Sequence, residues 1–165
     1  MSALHPISLD QLQTRLDAHT AGHHPHLPFV LVSHVRWPDA LSREQLYEAL
    51  CEHHARRLPW EEPGRHLMID ANGAFWINPD AAWLPTAKAN RREPAPALID
   101  MAVGAEQSRP ELRNQLQSVA MALLAIGDAF QLDDVPSVRW QSIHLPANDY
   151  RVPDTPEPIA NCGGF

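Results

Sequence analysis

The chain has 165 residues, 44% hydrophobic and 20% charged, a size and composition typical of one globular domain with its own core. Its 13 basic and 20 acidic side chains give a net charge of −7, which argues against nucleic-acid binding. No basic segment followed by an apolar stretch opens the chain, and no apolar run is long enough to span a membrane. We therefore expect cytoplasmic synthesis without a signal peptide and no membrane insertion.

The N-terminal region is predicted to be a short helix followed by a linker. Ser8 is a suitable cap for a helix that has Leu9, Leu12 and Leu16 on one face, and Gly22 ends it. A stretch rich in His and Pro follows. We divide the chain into this helix and linker, residues 1–28, and a main region, residues 29–165, within a single domain overall.

The next elements alternate between strand and helix. Residues 29–35 form a short apolar run typical of a buried strand, and a capping box at Ser42 and Gln45 opens a helix to about residue 57. The inward positions of that helix are predicted to be Leu46, Ala49 and Leu50. Two apolar segments then flank Asn72-Gly73, which predicts a β-hairpin.

The second half repeats the alternation after a surface loop at residues 78–96. Residues 97–103 are predicted to be a strand, a capping box at Ser108 and Glu111 opens a long helix, and residues 137–143 form the last strand. The helix carries an apolar stripe of Leu112, Leu116, Val119, Leu123, Ile126 and Phe130. The predicted fold is α/β, with a mixed central β-sheet flanked by helices.

Two histidines lie where predicted central strands end, His34 at the C-terminal end of the first and His144 directly after the last. Open α/β sheets place ligand sites at such strand ends. A catalytic zinc needs three protein ligands and one open position, so a third donor on a nearby loop is expected. Asp154 and Cys162 both have suitable chemistry.

The order of these elements resembles the zinc-dependent N-acetylmuramoyl-L-alanine amidases, whose fold is shared with peptidoglycan recognition proteins. The matching segments, which span most of the chain, are LVSHVRWPD, SREQLYEALCEHHARR, GRHLMIDANGAFWI, ALIDMAVG, QLQSVAMALLAIGDAF and SIHLPAND. The resemblance implies zinc-dependent hydrolysis of the amide between N-acetylmuramic acid and L-alanine, with peptidoglycan or muropeptide fragments as partners. Action at the cell wall then requires release by another system.

The resemblance also implies the metal ligands, His34 and His144 with a third that has two candidates. One branch of the family has an Asp ten positions after the second His, and Asp154 stands there. Another branch has a Cys before a small pair, which Cys162 resembles if the loop has lengthened. We favour Asp154 and keep Cys162 as the alternative.

The chain departs from the family at two positions that assist the oxyanion. Arg65 replaces a tyrosine, and Val152 or Ala160 replaces a lysine, depending on which third ligand is used. Arg65 or Arg151 is a candidate to supply the missing positive charge. Asp100 is a candidate general base, although the family carboxylate aligns nearer Met101.

Other residues have either a binding or a structural interpretation. Trp37 and Trp83 lie on loops and are candidates to stack on sugar rings in a substrate groove, whereas His53 and His54 are expected on a solvated helix face. His66 is expected to be structural. Two rival functions are a catalytically inactive peptidoglycan-binding module and a metal-free interaction protein on the same scaffold.

Overall fold

A computed structural model describes residues 4–22, 26–37, 41–57, 67–78, 96–103 and 106–145, which contain six strands and three helices. The elements in chain order are β1 (His5–Ile7), α1 (Leu9–Thr20), β2 (Val30–Arg36), α2 (Arg43–Arg57), β3 (Leu67–Ile69), β4 (Phe75–Ile77), β5 (Ala97–Val103), α3 (Arg109–Ala129) and β6 (Val138–His144). None of the described helices has the length and apolar character needed to cross a bilayer.

The strands form one mixed sheet in the order β1-β4-β3-β5-β2-β6. Strands β3, β5, β2 and β6 are parallel to their neighbours in this series, whereas β4 runs antiparallel to β3 and to β1. The α/β class and the mixed sheet are thus confirmed. Strand β1 was not predicted, because three residues including Pro6 are too few to show an alternating pattern.

The sheet has an apolar core on each face. One core joins α1 and α3 to Val30 and Val32 of β2, and the other joins α2 to Val35 of the same strand. Successive side chains of a strand point to opposite faces. Every position on β2 and its partners can therefore be assigned to the α1/α3 face or to the α2 face.

Local sequence signals determine where the helices begin. Ser108 forms the predicted capping box with Glu111, and Ser42 exchanges the same two hydrogen bonds with Gln45. Ser8, predicted as a cap, also forms a capping box, with Gln11. These bonds satisfy amide groups that a helix N-terminus leaves without partners. The predicted starts of all three helices are confirmed.

The hairpin between β3 and β4 is also confirmed, and it packs against α3. Gly73 has φ +83°, a conformation that favours glycine, and its carbonyl accepts a 2.6 Å hydrogen bond from Ser118 of α3. Asp70 holds the turn, because its Oδ1 accepts from the backbone N–H groups of Asn72 and Ala74 and its Oδ2 accepts from the indole of Trp76.

The predicted apolar stripe of α3 is correct for Val119, Leu123, Ile126 and Phe130, which are buried, and wrong for Leu112 and Leu116, which are 37% and 43% exposed. The side chain that faces inward in this part of the helix is Gln115, which is fully buried. It hydrogen-bonds backbone carbonyls at the ends of β3 and β5. The first turns of α3 therefore cover polar strand ends, and the apolar stripe begins only afterwards.

Candidate functional site

His34 and His144 lie on neighbouring parallel strands and on the same face of the sheet. His34 of β2 pairs with Ser142 of β6, and His144 is two residues further along β6. Both side chains thus belong to the α1/α3 face. Strand spacing and rise place their α carbons roughly 8 Å apart, a separation that two imidazoles with zinc–nitrogen bonds of about 2.0–2.1 Å can bridge.

A chain of amide hydrogen bonds holds the His34 ring. Gln115 Nε2 donates to the carbonyls of Ile69 and Ala102 at 3.1 and 2.8 Å, so its Oε1 is left to accept from Gln107 Nε2 at 2.7 Å. The oxygen of Gln107 must then face His34, and it lies 3.0 Å from Nε2. Because an amide oxygen only accepts, Nε2 of His34 carries the proton.

This network fits His34 to the role of a metal ligand. With the proton on Nε2, the Nδ1 atom of the neutral ring keeps its lone pair and is the atom that can bind a metal. Metal-binding histidines commonly donate their other N–H to an oxygen acceptor in this way, which orients the ring. His34 is half-buried and His144 is exposed, so the pair lies at the surface end of the two strands.

Among the described residues, no group of three or more His, Cys, Asp or Glu side chains is placed to hold a metal ion. Six residues discussed from the sequence lie outside the part of the chain that the structure describes. They are the candidate third ligands Asp154 and Cys162, the candidate oxyanion donors Arg65 and Arg151, the groove candidate Trp83, and His66.

Asp100 lies on the opposite face of the sheet from the two histidines. It pairs in register with Ser33, is fully buried, and accepts a hydrogen bond from His54 Nε2, with oxygen–nitrogen distances of 2.9 and 3.1 Å. The structure therefore does not bring Asp100 together with His34 and His144. It joins α2 to the centre of the sheet instead.

The prediction that His53 and His54 lie on a solvated face of α2 is wrong, since each is only 5% exposed. Burial of His54 is explained by Asp100 in the strand beneath it. Tyr47, on the same helix, is also buried. Burial raises the pKa of its phenol above the usual value, and the neighbouring Cys51 and the charge of Asp100 add to this effect.

Trp37 follows β2 and lines a cavity of about 400 Å³ on the α2 face. It therefore lies at the same edge of the sheet as the two histidines, but across the sheet from them. The structure thus places this candidate groove residue beside a separate cavity.

Sequence reasoning missed Gln107 and Gln115, which support His34, and it missed the partner of Asp100. A single carboxylate within the apolar run ALIDMAV is a signal that a buried partner exists. Gln115, by contrast, stands among other polar residues of a helix, so its burial depends on tertiary packing that no local pattern contains.

Comparison with protein-family models, with curated proteins and with solved structures finds no match to this chain. The resemblance to the amidases therefore stays a prediction from the segments quoted above. The structure shows an α/β fold with a mixed six-stranded sheet.

Proposed function

We propose that this protein is a zinc-dependent hydrolase of the amide bond between N-acetylmuramic acid and L-alanine in peptidoglycan. The proposed metal site is supported by one observation: His34 and His144 lie on the same face of adjacent parallel strands. The substrate comes from the resemblance alone. The order strand, helix, hairpin, strand, helix, strand over β2 to β6 is the order on which that resemblance rests.

The residues of the site have distinct roles in this proposal. His34, oriented by Gln107, and His144 hold the ion, with Asp154 or Cys162 as the third ligand. Zinc in such a setting supplies a Lewis acid that polarises an amide carbonyl and activates water. Arg65 and Arg151 are the candidate donors to the developing oxyanion. Asp100 has no part, because it is buried on the other face.

The direct test is cleavage of purified peptidoglycan by the full chain. Protein stripped with a chelator and reloaded with one equivalent of zinc should release new L-alanine amino termini. His34→Ala and His144→Ala should each lower the rate at least a hundredfold, whereas His26→Ala, at an exposed position, should leave it unchanged. Zinc-independent cleavage, or equal rates in all variants, would refute the proposal.

The role of Gln107 can be tested without measuring activity. Gln107→Leu removes the acceptor that fixes His34 and should weaken zinc binding about tenfold to a hundredfold, the usual effect of removing such a partner. Gln107→Glu keeps an oxygen acceptor and should recover most of the affinity. Identical zinc affinities in the two variants would contradict the orienting role.

A catalytically inactive peptidoglycan-binding module is the second candidate. It is favoured by Arg65 and Val152, which stand where the resemblance places an oxyanion-assisting tyrosine and lysine. It predicts that the zinc-loaded protein sediments with peptidoglycan but releases no new amino termini. Sedimentation with release supports the enzyme instead.

A further inference from the structure

A second site is suggested by the cavity on the α2 face of the sheet. It lies where β2, β3 and β5 end and α2 begins, and its volume of about 400 Å³ falls in the range of small-molecule sites. Ligands of open α/β sheets bind at this edge of the strands. It is separated from His34 and His144 by the sheet itself.

The inner wall of the cavity is apolar. Leu46, Met68 and Ala102 line it, all of them buried members of the core beneath α2. Trp37 forms a further side, and its buried indole Nε1 has no hydrogen-bond acceptor among the described residues. The wall therefore suits a compact apolar group that carries an acceptor.

Arg43 at the rim packs on Trp76 and forms a long ion pair with Asp70, and it makes no hydrogen bond to a residue that the structure describes. Its guanidinium lies 3.7 Å from the centroid of the Trp76 ring, and its Nη2 lies 3.6 Å from Oδ2 of Asp70, an ion-pair distance that is too long for a hydrogen bond. Asp70 already accepts three hydrogen bonds from the hairpin. With respect to the described residues, the N–H donors of Arg43 can still bind a further acceptor, and a guanidinium suits a carboxylate.

The start of α2 adds to the preference for an anion. The capping box satisfies the amides of Ser42 and Gln45, and the amides of Arg43 and Glu44 occupy the first helical positions, which have no acceptor within the helix. Among the described lining residues Arg43 is the one cation, and Glu44 and Asp70 oppose a multiply charged ligand. Arg43 and the two amides must outweigh these carboxylates, so an anion bound here carries no more than one negative charge.

We propose that this cavity binds a small monocarboxylate with an apolar body, its carboxylate on Arg43 and its apolar group against Leu46, Met68 and Ala102. A sugar is a poorer match, because the wall is apolar and Arg43 already covers the Trp76 ring. This binding is independent of zinc and of the hydrolysis proposed above.

The test uses N-acetyl-L-leucine and its neutral amide, N-acetyl-L-leucinamide, as probes of the full chain in the presence of a chelator. Binding is followed by the indole N–H resonance of Trp37 in a ¹H–¹⁵N spectrum, assigned from Trp37→Phe. The acid should give a saturable shift, and the amide should bind at least tenfold more weakly. No saturable shift, or equal binding of acid and amide, would overturn the site.

Variants locate the charge that the acid requires. Arg43→Met removes the charge but keeps an unbranched side chain of similar reach. It should weaken binding of the acid about tenfold and leave binding of the amide unchanged. Arg56→Gln, at an exposed position later in the same helix, is the matched control and should bind as the wild type does. An Arg43→Met protein that binds the acid with wild-type affinity would contradict the assignment, whatever the outcome for zinc.

Discussion

Gly73 offers the sharpest test of how the hairpin packs, because two terms oppose a side chain there. Its φ of +83° costs an alanine roughly 1–2 kcal/mol. An added Cβ would lie 2.8 Å from Ser118 Oγ and 2.9 Å from the carbonyl oxygen of Asn114. Relieving such contacts costs about 1–3 kcal/mol. We expect Gly73→Ala to lower the free energy of unfolding by about 3 kcal/mol in total.

Gly22 provides the matched control. Its φ is +75°, but among the described residues, its chain neighbours aside, no atom lies within 4 Å of an added Cβ. Gly22→Ala should therefore lose only the backbone term, about 1 kcal/mol. Urea unfolding followed by far-ultraviolet circular dichroism gives both values from shifts of the midpoint at constant slope. Equal losses in the two variants would show that the hairpin is not held tightly against α3.

Three further predictions concern the polar side chains of Gln115, Asp70 and Tyr47. Gln115→Leu leaves the carbonyls of Ile69 and Ala102 without their donor and should cost roughly 3 kcal/mol in urea unfolding; a loss under about 1 kcal/mol would contradict the network. Asp70→Ala removes the acceptor of three hairpin hydrogen bonds and should cost about 2 kcal/mol, whereas Asp70→Asn, which keeps one oxygen, should cost less. The raised pKa of Tyr47 means that above about pH 10 the unfolded chain loses this proton first, so stability falls with rising pH by at most about 1.4 kcal/mol per unit. Tyr47→Phe should flatten that slope, and an unchanged slope from pH 9 to 11 would refute the assignment.

The parts of the fold that the sequence predicted are those whose signals are local. Capping boxes at Ser42 and Ser108 and the Asn72-Gly73 turn act within a few residues, and the structure has each of them where the sequence indicates. The start of a helix depends on hydrogen bonds between residues three apart. Such contacts are visible in a single sequence.

The parts that were missed depend on contacts between distant segments. The burial of His54 requires Asp100, which is 46 positions away, and the support of His34 requires Gln107, which is 73 positions away. Periodicity along one element carries no information about such partners. The placement of His34 and His144 was predictable only as far as their strand ends, since their shared face follows from the parallel register.

The central claim is that His34 and His144 hold one zinc ion, and calorimetric titration of zinc into chelator-stripped protein tests it most directly. The wild type should bind one equivalent, and His34→Ala and His144→Ala should each abolish that site while both variants keep the wild-type circular dichroism spectrum. Undiminished one-to-one binding in either folded variant, or none in the wild type, would contradict the claim.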